Sequence, residues 1–314
     1  MTEDNKITII ITFRNEGDEV EKTIQSIRET TRIDEVPIIM VDDGSDDGVD
    51  YRAVSEKYQC KYLRLPEASG GPAIARIIGA EWCATDKFAF MDGHMRLYEQ
   101  NWNERVCEVL NANRRCILCS ATANYAGGKE KENRGDSGAY IRMDNPADYY
   151  SAGWAKGLPA EEGNLIEVPC VLGAFYAFTR SFWEEIKGLT GLTGYGFDEP
   201  FMSLKAWYLG GKCLLLRDFY VGHLYRDKFP NKVESERFYA NQMMLIDVFT
   251  LDSEKRAEYL AAFRNVFDKE FFDKVEDVYS SQIRRIEELK DYIYRYKDDE
   301  NIAKFWRLNE ERHE

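Results

Sequence analysis

Apolar residues in the first hundred positions occur in short continuous blocks, separated by segments with helical spacing. Such blocks are typical of parallel strands buried on both faces, and they are KITIIITF (6–13), VPIIMVDDGS (36–45), CKYLRLPE (60–67) and KFAFMDGH (87–94). After the first block, Val20, Ile24 and Ile27 lie on one face of a predicted helix. Because strand and helix alternate with short connections, we predict a doubly wound α/β unit over residues 1–98.

Residues 99–231 continue this domain with less regular elements. The pattern predicts a helix at 100–114, a strand at 116–125, a strand and helix within 169–186, a helix entered at Phe201 and a last strand at 212–226. Residues 126–168 show no periodicity, which is typical of a functional lid or a disordered segment. We interpret this stretch as an acceptor-side loop, whose aromatic residues either stack on a ligand or fix the loop to the surface; they include Tyr140, Tyr149, Tyr150 and Trp154.

Residues 232–314 are predicted to form a helical extension of the 1–231 domain. Their apolar residues step by three or four from Phe272 to Ile293, by way of Val275, Tyr279, Ile283, Ile286 and Leu289. Such a stripe indicates a helix packed on the domain, or else a surface for a homo-oligomer or an acceptor. Both interpretations stay open at the level of sequence.

Composition narrows the class of protein. The 314 residues carry a formal net charge of −14, which argues against nucleic acid as a partner because phosphate binding needs a basic face. The longest apolar run near the start, ITIIITF, is too short for a membrane span or a secretion signal. The seven cysteines are scattered and odd in number, which favours buried thiols over disulfides or zinc. We therefore expect a cytoplasmic protein.

Two of the three histidines follow predicted strands, His94 in MDGH and His223 in VGHLYR. In an extended segment, side chains two residues apart point to the same side, so Asp92 and His94 form half of a metal site with Gly93 leaving space between them. His223 is the candidate third ligand, and the set suits a divalent ion such as Mn²⁺. The alternative is a purely structural role, with an aspartate that caps a turn beside a histidine in the core.

A second acidic turn, VDDGSDD, follows the second predicted strand. Carboxylates there lie at the carboxyl edge of the sheet, where open α/β folds bind ligands, so Asp42 and Asp43 are candidates to accept hydrogen bonds from a nucleotide. A plain polar turn is the alternative. A calcium loop is disfavoured because Ala53 stands where the loop requires glutamate.

Several ordered motifs now resemble a known family. ITFRNEGDEVEKTIQSI and VDDGS resemble the opening of GT-A glycosyltransferases, and GPAIARIIGA resembles the helix that follows. MDGH, VLGAFYAFTRSFW, GYGFDEPFMSLKAWYLGG and VGHLYRDKFP are similar, in order, to polypeptide N-acetylgalactosaminyltransferases. The resemblance covers about Ile7 to Pro230 and implies a GT-A fold, which is a Rossmann-like, mostly parallel sheet flanked by helices.

The resemblance also implies roles for single residues. It makes Asp92, His94 and His223 ligands of Mn²⁺ (or Mg²⁺), with a UDP-sugar as donor. Further residues would line the nucleotide and sugar sites, namely Thr12, Phe13, Asp42, Arg76, Gly173 and Ala174. Asp198 stands where the family has a sugar-contacting glutamate, and Arg226, with Lys228 beside it, would offset charge on the departing diphosphate.

The sequence departs from the family pattern at several positions, which limits the properties that the resemblance implies for this chain. Tyr195, Gly196, Phe197, Asp198 and Glu199 replace Trp-Gly-Gly-Glu-Asn. We expect Phe197 to narrow the sugar pocket, which leaves GalNAc, GlcNAc and hexoses open as donor sugars. The family's membrane anchor, disulfides and lectin-like domain have no counterpart in the motifs, which again favours a cytoplasmic relative.

Three functions remain open at this point. The resemblance implies a retaining transfer to a hydroxyl of a glycan or protein. The alternative is an inverting family-2 transferase in which Glu199 or Asp198 acts as general base. The third is a non-catalytic nucleotide-sugar-binding or scaffold protein that acts through its helical tail.

Overall fold

In the part of the chain that the structure describes, ten strands form one mixed sheet with helices on both faces, and a separate two-stranded hairpin lies beside it. The computed structural model describes residues 6–66, 71–125, 134–135, 138–155, 163–226 and 233–313. The strands are β1 (Thr8–Phe13), β2 (Ile38–Asp42), β3 (Lys61–Arg64), β4 (Lys87–Asp92), β5 (Met95–Leu97), β6 (Cys116–Asn124), β7 (Arg134–Gly135), β8 (Ala139–Ile141), β9 (Ala152–Trp154), β10 (Leu165–Glu167), β11 (Phe175–Thr179) and β12 (Lys212–His223).

The helices alternate with strands at first and then follow one another. They are α1 (Glu19–Thr30), α2 (Tyr51–Lys57), α3 (Pro72–Trp82), α4 (Trp102–Ala112), α5 (Arg180–Glu185), α6 (Asp198–Tyr208), α7 (Ser235–Phe249), α8 (Ser253–Arg264), α9 (Lys269–Ser280), α10 (Ile283–Tyr296) and α11 (Asp299–His313). Among the described residues, no helix is both long and apolar enough to cross a membrane.

The strand order is β10-β12-β6-β11-β4-β1-β2-β3, and β3, β2, β1 and β4 run parallel. The side chains of β1 alternate between two cores: Ile9 and Ile11 pack with α1 and α4, whereas Ile10 packs with α3 and the cluster that includes α6. Burial on both faces explains the continuous apolar runs. The predicted α/β fold is confirmed, and β11 adds an antiparallel strand in the middle of the sheet.

Parallel pairing brings the carboxyl ends of three strands to one edge. In the register, Thr12 lies opposite Asp92, and Phe13 lies opposite Asp42. Ligand sites of open α/β sheets form at such an edge. The N-terminal half of the sheet therefore positions its polar turns together.

Two predicted boundaries are wrong. Helix α6 begins at Asp198 rather than Phe201, because Phe197 adopts a left-handed backbone (φ 69°) and leads directly into the first turn. Strand β4 ends at Asp92, and Gly93 and His94 form a turn before β5. Asp92 and His94 are thus not on one face of a continuous strand.

The five C-terminal helices pack on the domain. Phe272, Ile286, Leu289 and Ile293 from the predicted stripe are buried in the same core as Phe201 of α6. The chain itself covers most of this apolar stripe, although Ile283 is 40% exposed. The structure therefore favours packing on the domain, and a homo-oligomer stays a prediction. None of the seven cysteines, which all lie among the described residues, forms a disulfide, and all except Cys60 are buried, as predicted.

Candidate functional site

Asp92, His94 and His223 meet at the carboxyl edge of the sheet, although they come from β4, the following turn and β12. One potential ligand atom from each lies within 4.8 Å of the other two. His223 Nε2 is 3.4 Å from Asp92 Oδ2, and the centres of the two imidazole rings are 4.7 Å apart. The predicted set of three is therefore assembled by the fold.

Gly93 allows this assembly for a reason that differs from the one predicted. A β-carbon at position 93 would lie 2.9 Å from Phe13 Cβ and 3.1 Å from Glu16 Cγ. Glycine is therefore required for close packing of the turn on the loop after β1, not to leave room between two ligands.

The three side chains fit a divalent metal ion. Their donor set is one carboxylate and two imidazoles, and buried His223 Nδ1 has no hydrogen-bond partner among the described residues. Burial favours the neutral acid of Asp92, but the hydrogen bond with His223 and the charge of Arg76 outweigh it and lower the pKa of this carboxyl far below its usual value. A permanently ionised carboxylate suits a metal ligand.

Arg76 of α3 links this set to a second carboxylate. Its Nη2 donates to Asp92 Oδ1 at 3.0 Å and its Nη1 to Asp198 Oδ2 at 2.7 Å, and its side chain is only 6% exposed. The planar fork of arginine makes both bonds at once. Arg76 thus fixes the position of Asp92 relative to the start of α6.

Asp198 and Glu199 occupy the first turn of α6 and have different surroundings. Asp198 is buried, and its Oδ1 has no hydrogen-bond partner among the described residues. Burial raises the pKa of Asp198, although the charge of Arg76 opposes the shift. Glu199 Oε1 accepts a hydrogen bond of 2.7 Å from the Tyr176 hydroxyl, which in turn accepts one from the Ala174 amide.

Gly173 and Ala174, the predicted sugar-side residues, form a strained turn before β11. Both have left-handed backbone angles (φ 115° and 69°), and a β-carbon at Gly173 would lie 2.1 Å from Thr122 Oγ1. The Tyr176 bond to the Ala174 amide holds this turn next to Glu199. The structure therefore brings Gly173 and Ala174 to the side of the site where Glu199 lies.

The predicted nucleotide residues lie at the same edge, but Asp42 is fully engaged within the protein. Its carboxylate is 0% exposed and accepts hydrogen bonds from the Ser45 amide, the Tyr62 hydroxyl and Arg64 Nη1 at 2.6 to 2.7 Å. Thr12 is buried as well. Asp42 fixes the turn after β2, and direct contact of this carboxylate with a nucleotide stays a prediction.

Glu16, which the sequence analysis did not single out, connects two predicted site residues. Its Oε2 lies 2.5 Å from Arg226 Nη2 and 3.1 Å from His94 Nδ1. The histidine contact has the distance of an ion pair but not the alignment of a hydrogen bond. Burial opposes ionisation of Glu16, but its contacts with His94 and Arg226 outweigh burial and lower its pKa. Lys228, predicted to act beside Arg226, lies outside the described residues.

Helix α7 holds the loop that leads into α6. Asn241 accepts a hydrogen bond from the Thr193 amide and donates to the carbonyl oxygens of Thr193 and Gly196. The buried Phe197 ring lies 4.9 Å from the Phe238 ring. The expectation that Phe197 narrows the sugar pocket is therefore wrong, because its side chain packs on the C-terminal helices.

The aromatic residues of the predicted acceptor loop divide into two groups. Tyr149 and Tyr150 are buried and fix the segment to the core, whereas Trp154 is 39% exposed. The Trp154 ring lies 6.3 Å from the Tyr225 ring, which lies 4.4 Å from His223. Of these three residues, Trp154 is the one that reaches the edge of the site.

Comparison with known proteins agrees with this geometry. The family described as Glycosyl transferase family 2 matches residues 8–167, which is more than half of the chain. The chain belongs to glycosyl transferase family 2. The matched residues include β1 to β4, Asp92 and His94, so the family match covers two of the three candidate ligands.

Curated relatives of this family 2 chain include two polypeptide N-acetylgalactosaminyltransferases. Polypeptide N-acetylgalactosaminyltransferase 8 of Drosophila melanogaster is 28% identical over 236 residues, which are 70% of this chain and 38% of the relative. Polypeptide N-acetylgalactosaminyltransferase 10 of Homo sapiens is 26% identical over 272 residues, which are 81% of this chain and 43% of the relative. The chain spans about two fifths of the length of these relatives.

Solved structures share the GT-A fold. GalNAc-T7 with UDP, GalNAc and Mn²⁺ is 21% identical, with a TM-score of 0.67 over 88% of this chain and 55% of that protein. S. aureus TarS 1–349 in complex with UDP-GlcNAc is 15% identical, with a TM-score of 0.57 over 97% of this chain and 90% of that protein. At this level of identity the likeness establishes the fold.

Proposed function

We propose that this family 2 chain is a metal-dependent glycosyltransferase that moves a sugar from a UDP-sugar to an acceptor hydroxyl. The observation that carries the proposal is the convergence of Asp92, His94 and His223 at the carboxyl edge of the sheet. These residues would hold Mn²⁺ or Mg²⁺, which when bound supplies positive charge to the diphosphate. In a chain with a net charge of −14, local positive charge is needed for an anionic donor.

Two arginines act with this site. Arg76 holds Asp92 and Asp198 in fixed positions, and its contact with Asp198 is buried, since the two side chains are 6% and 4% exposed. Arg226 is 24% exposed and close to the same edge, and it offsets negative charge on the departing UDP. Thr12, Phe13 and Asp42 border the nucleotide, and Gly173, Ala174 and Asp198 border the sugar.

The donor sugar is of the GalNAc, GlcNAc or hexose type. The relatives are named as N-acetylgalactosaminyltransferases, and one structural neighbour is a complex with UDP-GlcNAc. The acceptor is a hydroxyl of a glycan or a protein. Exposed Trp154 and Tyr225 next to His223 support a sugar or peptide acceptor, because aromatic faces pack well against both.

We favour transfer with retention, in which the bond from the sugar to UDP breaks and the acceptor hydroxyl attacks on the face that the UDP leaves. Its proton passes to the departing phosphate, and the sugar passes through an oxocarbenium-like state. Inversion is a second candidate because Asp198 Oδ1 is buried without a partner among the described residues, which suits a general base. Glu199 suits that role less, since Tyr176 already donates to its carboxylate.

A screen of UDP-sugars tests the proposal. UDP release is measured with UDP-GalNAc, UDP-GlcNAc, UDP-galactose and UDP-glucose, with Mn²⁺ or with EDTA, for the wild type and for Asp92→Asn. We expect release from at least one donor that requires metal and is lost in the variant. Metal-independent release would contradict the metal requirement. No release with any donor, together with metal-independent UDP binding, would favour the scaffold function instead. The anomeric proton of the product, measured by NMR, then separates retention from inversion.

A further inference from the structure

The Glu16 carboxylate contacts both a candidate metal ligand, His94, and Arg226, the arginine proposed to offset charge on the departing diphosphate. Glu16 Oε2 lies 3.1 Å from His94 Nδ1 and 2.5 Å from Arg226 Nη2, and the Glu16 side chain is 8% exposed. Arg226 is 210 positions away along the chain. Both neighbours of Glu16 therefore belong to the proposed catalytic machinery.

The contact with His94 bears on which ring nitrogen binds a metal. A metal-binding histidine commonly has its other ring nitrogen next to a carboxylate, which fixes the ring's tautomer and orientation and raises its basicity. Glu16 lies on the Nδ1 side of His94. In the neutral tautomer with the proton on Nδ1, that side of the ring faces Glu16 and Nε2 is left as the ligand atom.

The contact with Arg226 bears on the position of a cation. The two charges of a carboxylate–guanidinium pair attract each other more strongly when the pair is mostly buried than at the surface, because water screens them less. Arg226 is 24% exposed on its side chain and Glu16 only 8%. The pair therefore holds the guanidinium beside His94 before any donor binds.

The backbone around Glu16 is fixed by the neighbouring loop. The Asn15 amide donates to Ser45 Oγ, and the Gly17 amide donates to the Tyr51 hydroxyl and to Asp47 Oδ2. On the other side, Gly93 packs so closely that a β-carbon there would lie 3.1 Å from Glu16 Cγ. Glu16 thus sits on a rigid support, which a positioning residue requires.

We propose that Glu16 is a positioning residue that orients His94 for metal binding and holds Arg226 in place for the leaving diphosphate. This inference rests on the proposed function. It predicts that loss of the Glu16 charge weakens metal affinity even when no nucleotide is present. It also predicts that the effects of replacing Glu16 and Arg226 on turnover are not independent of each other.

The test is calorimetric titration of the full chain with MnCl₂ alone. Glu16→Gln is expected to raise the Kd for Mn²⁺ by about 10- to 100-fold relative to the wild type. Glu35→Gln is the matched control, since Glu35 is also mostly buried and paired with an arginine, Arg32, but touches no candidate ligand. Arg226→Met should leave the Kd for Mn²⁺ alone within about twofold of the wild type, because Glu16 still faces His94.

The outcomes separate this inference from the proposed function. If Glu16→Gln binds Mn²⁺ as the wild type does while Asp92→Asn does not, the role of Glu16 is refuted and the metal site stands. If the wild type binds no Mn²⁺, both are refuted. Should Glu16→Gln fail to fold, Glu16→Asp keeps the charge but shortens the reach, and the same loss of Mn²⁺ affinity is expected.

For turnover, the double variant Glu16→Gln/Arg226→Met is expected to lose less than the product of the two single losses. Independent, multiplying losses would contradict the coupling.

Discussion

Replacing Arg76 by Met should destabilise the protein by an amount that depends on pH. The change removes the guanidinium that donates to Asp92 Oδ1 and Asp198 Oδ2, and leaves the Asp198 carboxylate, 4% exposed on its side chain, without its cation. Breaking a buried ion pair from one side costs about 3–5 kcal/mol. We expect a loss of that size in the free energy of unfolding near neutral pH.

The loss should shrink as the pH falls. Burial already raises the pKa of Asp198 to about 7 against the opposing charge of Arg76, and removal of Arg76 raises it further. Because the wild-type carboxyl also has a raised pKa, both proteins gain stability in parallel as the pH falls from about 7 towards 3.8. The stability difference between them therefore shrinks as the pH falls from the higher pKa of the variant to about 7, and is nearly constant below that.

Urea denaturation followed by circular dichroism measures both effects. The double variant Arg76→Met/Asp198→Asn is the control, because it removes the unpaired charge and should be more stable than the sum of the single changes predicts. A loss under about 1 kcal/mol, a loss independent of pH, or simple additivity would refute the reasoning.

Three further changes have definite expected outcomes. Arg226→Ala should lower kcat far more than UDP affinity in steady-state and calorimetric assays, and equal losses would remove its role in leaving-group departure. Lys205→Met should stabilise the protein at neutral pH, because the buried Lys205 amine contacts, among the described residues, the Gly188 carbonyl and the Phe201 ring, and burial lowers its pKa well below 10.5. This gain in stability should fall by about 1.4 kcal/mol per pH unit as the wild type becomes more stable towards pH 10.5, and a gain that does not change with pH would contradict a neutral Lys205. Asn241→Ala should reduce the free energy of unfolding by about 1–3 kcal/mol, since buried partners in the loop before α6 are left unsatisfied, and an unchanged urea midpoint would show that this loop does not depend on α7.

The sequence predicted the metal set because it depends on strand ends. Hydrophobic runs locate the ends of β4 and β12, and parallel strands bring such ends to one edge. The predicted local geometry was wrong, since Asp92 and His94 do not lie on one face of a strand, and Gly93 allows close packing against Glu16. Convergence was predictable from topology, whereas local conformation depended on contacts between distant loops.

Glu16 and Asp42 show what could not be predicted. Glu16 lies in a loop without periodicity, and its partner Arg226 is distant in sequence; the ITFRNEG resemblance was the one available signal. Asp42 is the last residue of β2 as Asp92 is of β4, yet Tyr62 and Arg64 of the neighbouring β3 donate hydrogen bonds to the Asp42 carboxylate. Such side-chain contacts depend on the tertiary register of strands.

The C-terminal helices illustrate a third limit. An amphipathic stripe has the same sequence pattern whether it meets its own domain or another chain. In the structure, Ile286 and Ile293 are buried within the chain. The boundary at residue 231, the oligomeric state and the cytoplasmic location stay predictions.

The most direct test of the metal site is anomalous diffraction from crystals grown with Mn²⁺ and UDP. The account predicts a manganese peak within coordination distance of Asp92, His94 and His223, next to the UDP diphosphate. A peak elsewhere, or bound UDP with these three side chains in contact with no metal, would contradict it.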